Sequence, residues 1–243
     1  MVRLRLPISA EVGVRLRVVQ LSDLHGRTRF ANGRLAERVN ALKPDVVCVT
    51  GDLVSHLQEL PRVLAELRRI ACPRLYFVPG NWERETLTGL RKRLLTDEER
   101  LTLLAAVSDV ARVLLNAGEI ISVNGLRLLI YGFDNSLYGA ERYAPPPGEA
   151  DVRLLLAHSP QIMDIVRREN IPFDLLLTGH THGGQIRFFG LTDPEAGRWH
   201  VGARREAGGT FYISRGLGTT RLPLRLGSTP EVLCADLVTL GSG

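Results

Sequence analysis

The feature that most constrains the fold of this chain is a recurring pattern. Short apolar runs each stop at a polar turn built of small residues. RVVQL runs into Ser22-Asp23-Leu24-His25-Gly26, VVCV into Thr50-Gly51-Asp52, and LYFV into Pro79-Gly80-Asn81. RLLLA then meets His158-Ser159-Pro160, and LLL meets Thr178-Gly179-His180-Thr181-His182. Apolar runs bounded by turn residues read as strands buried on both faces, here placed at 14–21, 46–49, 75–78, 152–157 and 175–177. Between them lie stripes of helical period: Leu35, Val39 and Leu42, ended by Pro44, then Leu60, Val63, Leu64, Leu67 and Ile70. A third stripe, Leu101, Leu104, Ala105 and Val107, follows the capping-box spacing of Thr96 and Glu99. A further helix begins at Pro160 with Ser159 as its cap and carries Ile162, Met163 and Val166. From Arg112 to Gly132 the pattern turns β-rich, with Asn116-Ala117-Gly118 as a turn and Asn124-Gly125 as a hairpin tip. A glycine loop holding Gly216, Gly218 and Gly227 precedes a last strand at 231–237. Strand–helix units followed by β-rich pairs predict one domain over residues 1–243, a two-sheet core covered by helices.

With 243 residues, 44% of them hydrophobic, the chain buries a core without disulfide staples. Its cysteines, Cys48, Cys72 and Cys234, follow no CxxC spacing, which argues against a disulfide framework and a thiolate zinc site. Arg3, Arg5, Arg15 and Arg17 interrupt the N-terminal apolar positions, and no run reaches the ~18 residues of a membrane span. The expectation is a cytoplasmic protein, with peripheral contact at the inner membrane second to it. Of 31 basic residues, only Lys43 and Lys92 are lysine. The net charge of +5 is concentrated between Gln185 and Arg225, where Arg187, Arg198, Arg204, Arg205, Arg215, Arg221 and Arg225 face only Asp193, Glu195 and Glu206. A basic segment attracts anions, so a phosphate-bearing substrate or an anionic lipid surface is expected there. Nucleic acid is not: the aromatic content is 6%, and no recognition-helix, zinc-finger or RNA-binding motif is present. The sequence carries no signal for an oligomeric state.

The polar ends of the apolar runs hold metal-type ligands: Asp23, His25, Asp52, Asn81, His158, His180 and His182. The carboxyl ends of strands are where open α/β sheets build sites, because neighbouring strands deliver their loops together. Singly, each residue reads as an ordinary turn, cap or solvated imidazole. Together they differ, since four of the six histidines fall in such turns, while His56 and His200 lack that setting. His180 and His182 are expected on one side of an extended segment. Carboxylate, amide and imidazole without thiolate suit Mn, Fe, Zn, Co or Ni, and seven ligands are enough for two adjacent ions sharing one carboxylate. Such a pair clamps the oxygens of a phosphoryl displacement.

The ordered blocks Asp23-Leu24-His25, Gly51-Asp52, Gly80-Asn81, His158 and Gly179-His180-Thr181-His182 resemble the five-block signature of the calcineurin-like metallophosphoesterase superfamily, across residues 21 to 185. Gly183-Gly184-Gln185 and the tail from Ser214 to Gly227 are similar to a bacterial branch of small, often membrane-associated members. That branch includes enzymes that cleave the pyrophosphate of UDP-diacylglucosamine. The resemblance implies a four-layer αββα sandwich of two mixed sheets flanked by helices, and two divalent ions, manganese favoured. By motif, Asp23, His25 and His182 would hold one ion, Asn81, His158 and His180 the other, and Asp52 would bridge them. A metal-bridging hydroxide would attack phosphorus in line. The implied activity is hydrolysis of a phosphodiester or pyrophosphate in a phosphorylated small molecule, nucleotide or lipid-linked substrate.

One block departs from the family pattern. Where members usually read Gly-Asn-His, with the histidine as general acid, this chain reads Gly80-Asn81-Trp82-Glu83. Indole donates a hydrogen bond but has no titratable proton near neutrality. Losing general acid catalysis costs on the order of 10²- to 10⁴-fold on a poor leaving group, so activated esters and pyrophosphate linkages are expected over alkyl phosphates. The members cleaving lipid-precursor pyrophosphates also lack that histidine. The alternative is that Trp82 packs against its loop and another residue supplies the proton. A broad phosphomonoesterase or protein phosphatase, and a catalytically weak metal-binding scaffold, are the competing functions. Arg27 either reaches a phosphate or is simply solvated. Asp134 and Asn135 would orient a ligand histidine, and Asn116 is a turn residue.

Overall fold

The computed structural model describes residues 1–8, 13–89, 91–134, 137–185, 198–220 and 224–239. In chain order the strands are β1 (Val2–Ile8), β2 (Arg15–Leu21), β3 (Arg29–Phe30), β4 (Gly33–Arg34), β5 (Val46–Thr50), β6 (Leu75–Val78), β7 (Glu85–Thr88) and β8 (Arg91–Leu94). They continue with β9 (Arg112–Val113), β10 (Ala117–Val123), β11 (Leu126–Gly132), β12 (Val152–Leu156), β13 (Leu175–Thr178), β14 (Gly202–Glu206), β15 (Gly209–Ile213) and β16 (Leu233–Thr239). The helices are α1 (Leu35–Asn40), α2 (Leu60–Leu67), α3 (Asp97–Ser108) and α4 (Ile162–Arg168).

Twelve of the strands make two six-stranded sheets, ordered β1-β16-β2-β5-β6-β9 and β10-β11-β12-β13-β15-β14. Both sheets are mixed. In the first, β2, β5, β6 and β9 run parallel and β16 runs antiparallel to β2. In the second, β11, β12, β13 and β15 run parallel, with β10 and β14 antiparallel at the edges.

Three apolar layers hold the sheets and helices together. Leu16, Val18, Val46, Cys48 and Val78 meet Leu128, Ile130, Leu154, Leu156, Leu175 and Leu177 between the sheets. Val47, Val49 and Phe77 turn to the outer face of the first sheet and pack on α1, α2 and α3. Leu155, Leu176, Phe211 and Ile213 do the same for the second sheet against Ile162, Met163 and Val166 of α4. The protein is therefore a four-layer αββα sandwich. Every residue of β5 is buried, which is why its sequence reads as a continuous apolar run rather than an alternation. The β10–β11 turn places Asn124 at φ +52° and Gly125 at φ +83°, the paired left-handed conformation of a tight hairpin.

One strand is added and three local expectations change. Val2, Leu4, Leu6 and Ile8 alternate with Arg3, Arg5 and Pro7 to form edge strand β1 along β16, so the arginines that break the apolar run are the solvent side of a strand. The last strand starts at Leu233, because Glu231 turns inward to accept from the Tyr212 hydroxyl and the Arg215 backbone N–H. In α3 Leu101 is 64% exposed, while Leu103, Leu104 and Val107 are buried. The segment Leu101–Val107 is apolar at nearly every position, so its period does not choose a face. Finally α4 begins at Ile162, behind a tight turn in which Ile162, Met163 and Asp164 bond three residues back.

The parallel strands β2, β5 and β6 of one sheet and β12 and β13 of the other deliver their carboxyl ends to one end of the sandwich. Gln20 of β2 ties the sheets there, its Nε2 donating to Thr50 Oγ1 at 2.8 Å and to the Thr178 carbonyl at 2.9 Å. Among the described residues, no helix is long and apolar enough to cross a membrane.

Candidate metal centre

All seven expected ligands converge at this end. Asp23 and His25 follow β2, Asp52 follows β5, Asn81 opens the short turn after β6, His158 follows β12, and His180 and His182 follow β13. Ligand atoms of Asp23, His25, Asp52 and His182 lie within 4.8 Å of one another, and those of Asp52, His158 and His180 form a second such group. Asp52 belongs to both: its Oδ2 is 3.6 Å from His25 Nε2 and 3.3 Å from His158 Nε2. Asn81 Oδ1 joins the second group, 3.2 Å from His158 Nε2. His25 Nε2 faces His182 Nε2 at 3.1 Å, and His158 Nε2 faces His180 Nδ1 at 3.0 Å.

The donor chemistry fits cations. Burial pushes the imidazoles of His25 and His182 down, to about 4 and about 3, so both are neutral near physiological pH. Burial opposes the charged form of His158 as well, but the Asp52 carboxylate outweighs it and lifts that imidazole to about 10. Asp52 is in turn held well below the usual carboxylate range: burial would raise it, and His158 overrides that. The outer nitrogens are anchored. His25 Nδ1 is 2.9 Å from Ser55 Oγ, and His158 Nδ1 is 2.9 Å from the Thr50 carbonyl, which can only accept. Nε2 of His158 is therefore the atom available to a cation once its own proton is displaced. Arg225 Nη2 approaches His182 Nδ1 to 3.2 Å.

Five of the ligands occupy left-handed backbone: Asp23 (φ +50°), His25 (+43°), Asp52 (+58°), His180 (+69°) and His182 (+51°). Such conformations cost of order 1–3 kcal/mol each and persist only where the surroundings over-determine them. Here they do. Glu83, fully buried, accepts from the backbone N–H groups of Asp52 (2.9 Å), Leu53 (2.9 Å) and Gly80 (2.5 Å). Asp52 Oδ1 accepts from Trp82 N at 2.9 Å, and Asp23 accepts from Ser22 Oγ at 2.6 Å and from His180 N at 3.1 Å. The loops approach so closely that a Cβ on Gly80 would collide with the Asp52 carboxylate, and one on Gly51 would lie 2.6 Å from His158 Nδ1.

The left-handed turns also overturn the extended reading of His180-Thr181-His182. With φ positive at both histidines the segment curls, and the two rings go to different groups, His182 to Asp23 and His25, His180 to His158. Arg27 is exposed and lies against Phe30, its guanidinium carbon 4.9 Å from the ring centroid. Trp82 is 5% exposed and meets His25 edge-on, with ring centroids 5.6 Å apart. Asp134 does not orient a histidine: its Oδ2 accepts from Arg84 at 3.0 Å and from Arg100 at 3.5 Å. Asn116 is a turn residue at φ +50°, and its amide also pins the following loop through Asp134 N, Arg142 N and the Ala140 carbonyl. His56 and His200 belong to neither ligand group. In the basic stretch, Arg215 pairs with Glu231, and Arg225 turns inward onto the carbonyls of Gly218 and Arg215. Asn135, Arg187, Arg221, Asp193 and Glu195 lie outside the described residues.

Sequence reasoning assigned no role to Glu83, Ser55 or Glu85, and placed Arg225 only in a basic stretch. Glu83 carried a signal, an acidic side chain directly after a ligand turn. Ser55 acts on His25 and Arg225 on His182 across long sequence separations, while Glu85 lies four residues from Asn81.

The family model for calcineurin-like phosphoesterases matches residues 16–184. The chain belongs to this family of metallophosphoesterases. It is 31% identical over 252 residues to the phosphodiesterase YaeI of Escherichia coli, covering 98% of this chain and 88% of that one. It is also 31% identical over 232 residues to the metallophosphoesterase YkuE of Bacillus subtilis, covering 89% and 77%. Among solved structures, the phosphopantetheinyl hydrolase PptH of Mycobacterium tuberculosis shares the fold at a TM-score of 0.51 and 15% identity, covering 82% of this chain and 89% of that one. A 5'-nucleotidase precursor from Thermus thermophilus does so at 0.52 and 11%, and 93% of this chain spans 55% of it.

Proposed function

We propose that the chain hydrolyses phosphodiester or pyrophosphate bonds at a centre holding two divalent ions. The observation that carries this reading is the placement of Asp52 Oδ2 between His25 Nε2 and His158 Nε2, which makes one carboxylate common to both ligand groups. Asp23, His25 and His182 would hold one ion, Asn81, His158 and His180 the other, with Asp52 shared. Ions bound there supply Lewis-acid polarisation of a phosphoryl oxygen and of an attacking water. Mixed oxygen and imidazole donors without thiolate suit Mn, Fe, Zn, Co or Ni, and manganese is the ion that the family resemblance favours.

The chain's own residues set the substrate preference. Trp82 occupies the place of a general acid, is nearly buried, and offers no proton near neutrality. A leaving group that departs without protonation, such as a phosphate or an aryloxide, is therefore favoured over an alkoxide. The similarity to a protein named phosphodiesterase supports the diester reading.

The test is turnover of bis-p-nitrophenyl phosphate with Mn²⁺ by the wild type and by Asp52→Ala. Metal-dependent turnover is expected in the wild type, with the variant losing both turnover and metal binding. Metal binding without turnover of any phosphoester would instead support a binding scaffold.

A further inference from the structure

Lys92 stands on β8 of the small β7–β8 hairpin, beside the metal centre but outside its ligands. Its Nζ lies 5.1 Å from the centroid of the Trp82 ring and pairs with Glu85 Oε2. The same carboxylate accepts from Asn81 Nδ2 at 3.1 Å and from the Tyr138 hydroxyl at 2.8 Å. Asn81 Oδ1 in turn faces His158 Nε2 at 3.2 Å. A continuous polar path thus runs outward from His158 through Asn81 and Glu85 to Lys92. The Lys92 side chain is 39% exposed and the Glu85 side chain 15%, so the ammonium is the member that reaches solvent.

Glu85 serves both ends of this path. By engaging Asn81 Nδ2 it turns the amide oxygen toward the centre, and by engaging Lys92 it keeps the ammonium over the indole, a favourable place for a cation. Trp82 meets His25 edge-on, so the cation is held one aromatic ring away from the ligands. An ammonium is a compact point charge that meets a phosphate oxygen without the planar approach a guanidinium requires.

We propose that Lys92 is the substrate-contacting cation of this centre and meets the leaving phosphate of a diphosphate-type ester. The assignment rests on the phosphoesterase reading above. In the reaction the oxygen of water bonds to phosphorus and its proton passes to solvent. The P–O bond to the leaving phosphate breaks, and its electron pair stays on the leaving oxygen. Lys92 gives up no proton and directs an N–H at the oxygen that gains charge. This stabilisation acts most on a leaving group that is itself an anionic phosphate, and much less on p-nitrophenolate, whose charge is already delocalised over its ring.

The experiment compares kcat/KM for UDP-glucose and for bis-p-nitrophenyl phosphate in manganese-loaded wild type, Lys92→Met and Lys92→Arg. The expected result is that Lys92→Met lowers the ratio of the first constant to the second on the order of 10²-fold, with Lys92→Arg recovering part of the loss. Salt should depress the ratio in the wild type and not in Lys92→Met. An unchanged ratio in Lys92→Met, with both constants falling together or neither falling, overturns the proposal and leaves Lys92 a structural partner of Glu85. So does a wild type that turns over only bis-p-nitrophenyl phosphate. A metal-loaded wild type inactive on both substrates would refute the phosphoesterase reading itself.

Discussion

Glu83 shows how one buried carboxylate can set a whole site. It spans the loop after β5 and the loop after β6 by accepting three backbone N–H groups, and burial together with the Asp52 charge raises its carboxyl to about 7. Glu83→Gln would turn an amide N–H toward backbone donors. We expect a stability loss of about 1–3 kcal/mol, read as a lower Tm, with weaker metal binding read by titration calorimetry. The histidines predict a pH profile for the metal-free protein. His158 is raised from 6.5 to about 10, so its contribution is fully present below pH 6.5 and is lost as pH rises toward 10. His25 and His182 are lowered from 6.5 to about 4 and about 3, so the unfolded chain takes up their protons first and stability falls as pH drops below 6.5. Denaturant unfolding in chelator at acid, near-neutral and alkaline pH should therefore show greatest stability near pH 6.5. Metal uptake near neutrality should also release the His158 proton, seen as a buffer-dependent heat of binding.

Among the elements, residues 214–220 and 224–228 are held to the site by hydrogen bonds. Gly218 N donates to the Asp23 carbonyl at 2.6 Å and Ser228 Oγ to the His182 carbonyl at 2.6 Å, while Arg225 reaches the carbonyls of Gly218 and Arg215. Arg225→Met leaves those carbonyls without their donor, at about 1–3 kcal/mol for each that stays buried. Limited proteolysis should cut this segment faster in the variant, and metal affinity should fall because Asp23 and His182 lose their outer support. Such links explain what the sequence could and could not disclose. The strands β2, β5, β6, β12 and β13 and the convergence of the seven site residues were legible because each apolar run ends where its site residue begins. The curl at His180 and His182 was not, since it depends on Asp23 accepting from His180 N across the interface between the sheets. Nor was the place of Glu85, which meets Asn81, Lys92 and Tyr138 at once, or that of Arg225, which reaches His182. The burial of α3 escaped a periodicity argument because apolar residues cover more than one of its faces.

At the level of the whole molecule, the layer between the sheets joins both of them in one core. Leu154 lies there fully buried among residues of both sheets. Leu154→Ala is expected to cost about 2–5 kcal/mol and to lower the midpoint of one cooperative unfolding transition, followed by near-UV and far-UV circular dichroism together. The ligand set is divided between the same two sheets: Asp23, His25, Asp52 and Asn81 follow strands of the first, and His158, His180 and His182 follow strands of the second. Each ligand group draws on both. An ion seated in either group would therefore be a rivet through the two leaves of the sandwich, and chelation would loosen the end that holds the ligand turns before it disturbed either leaf.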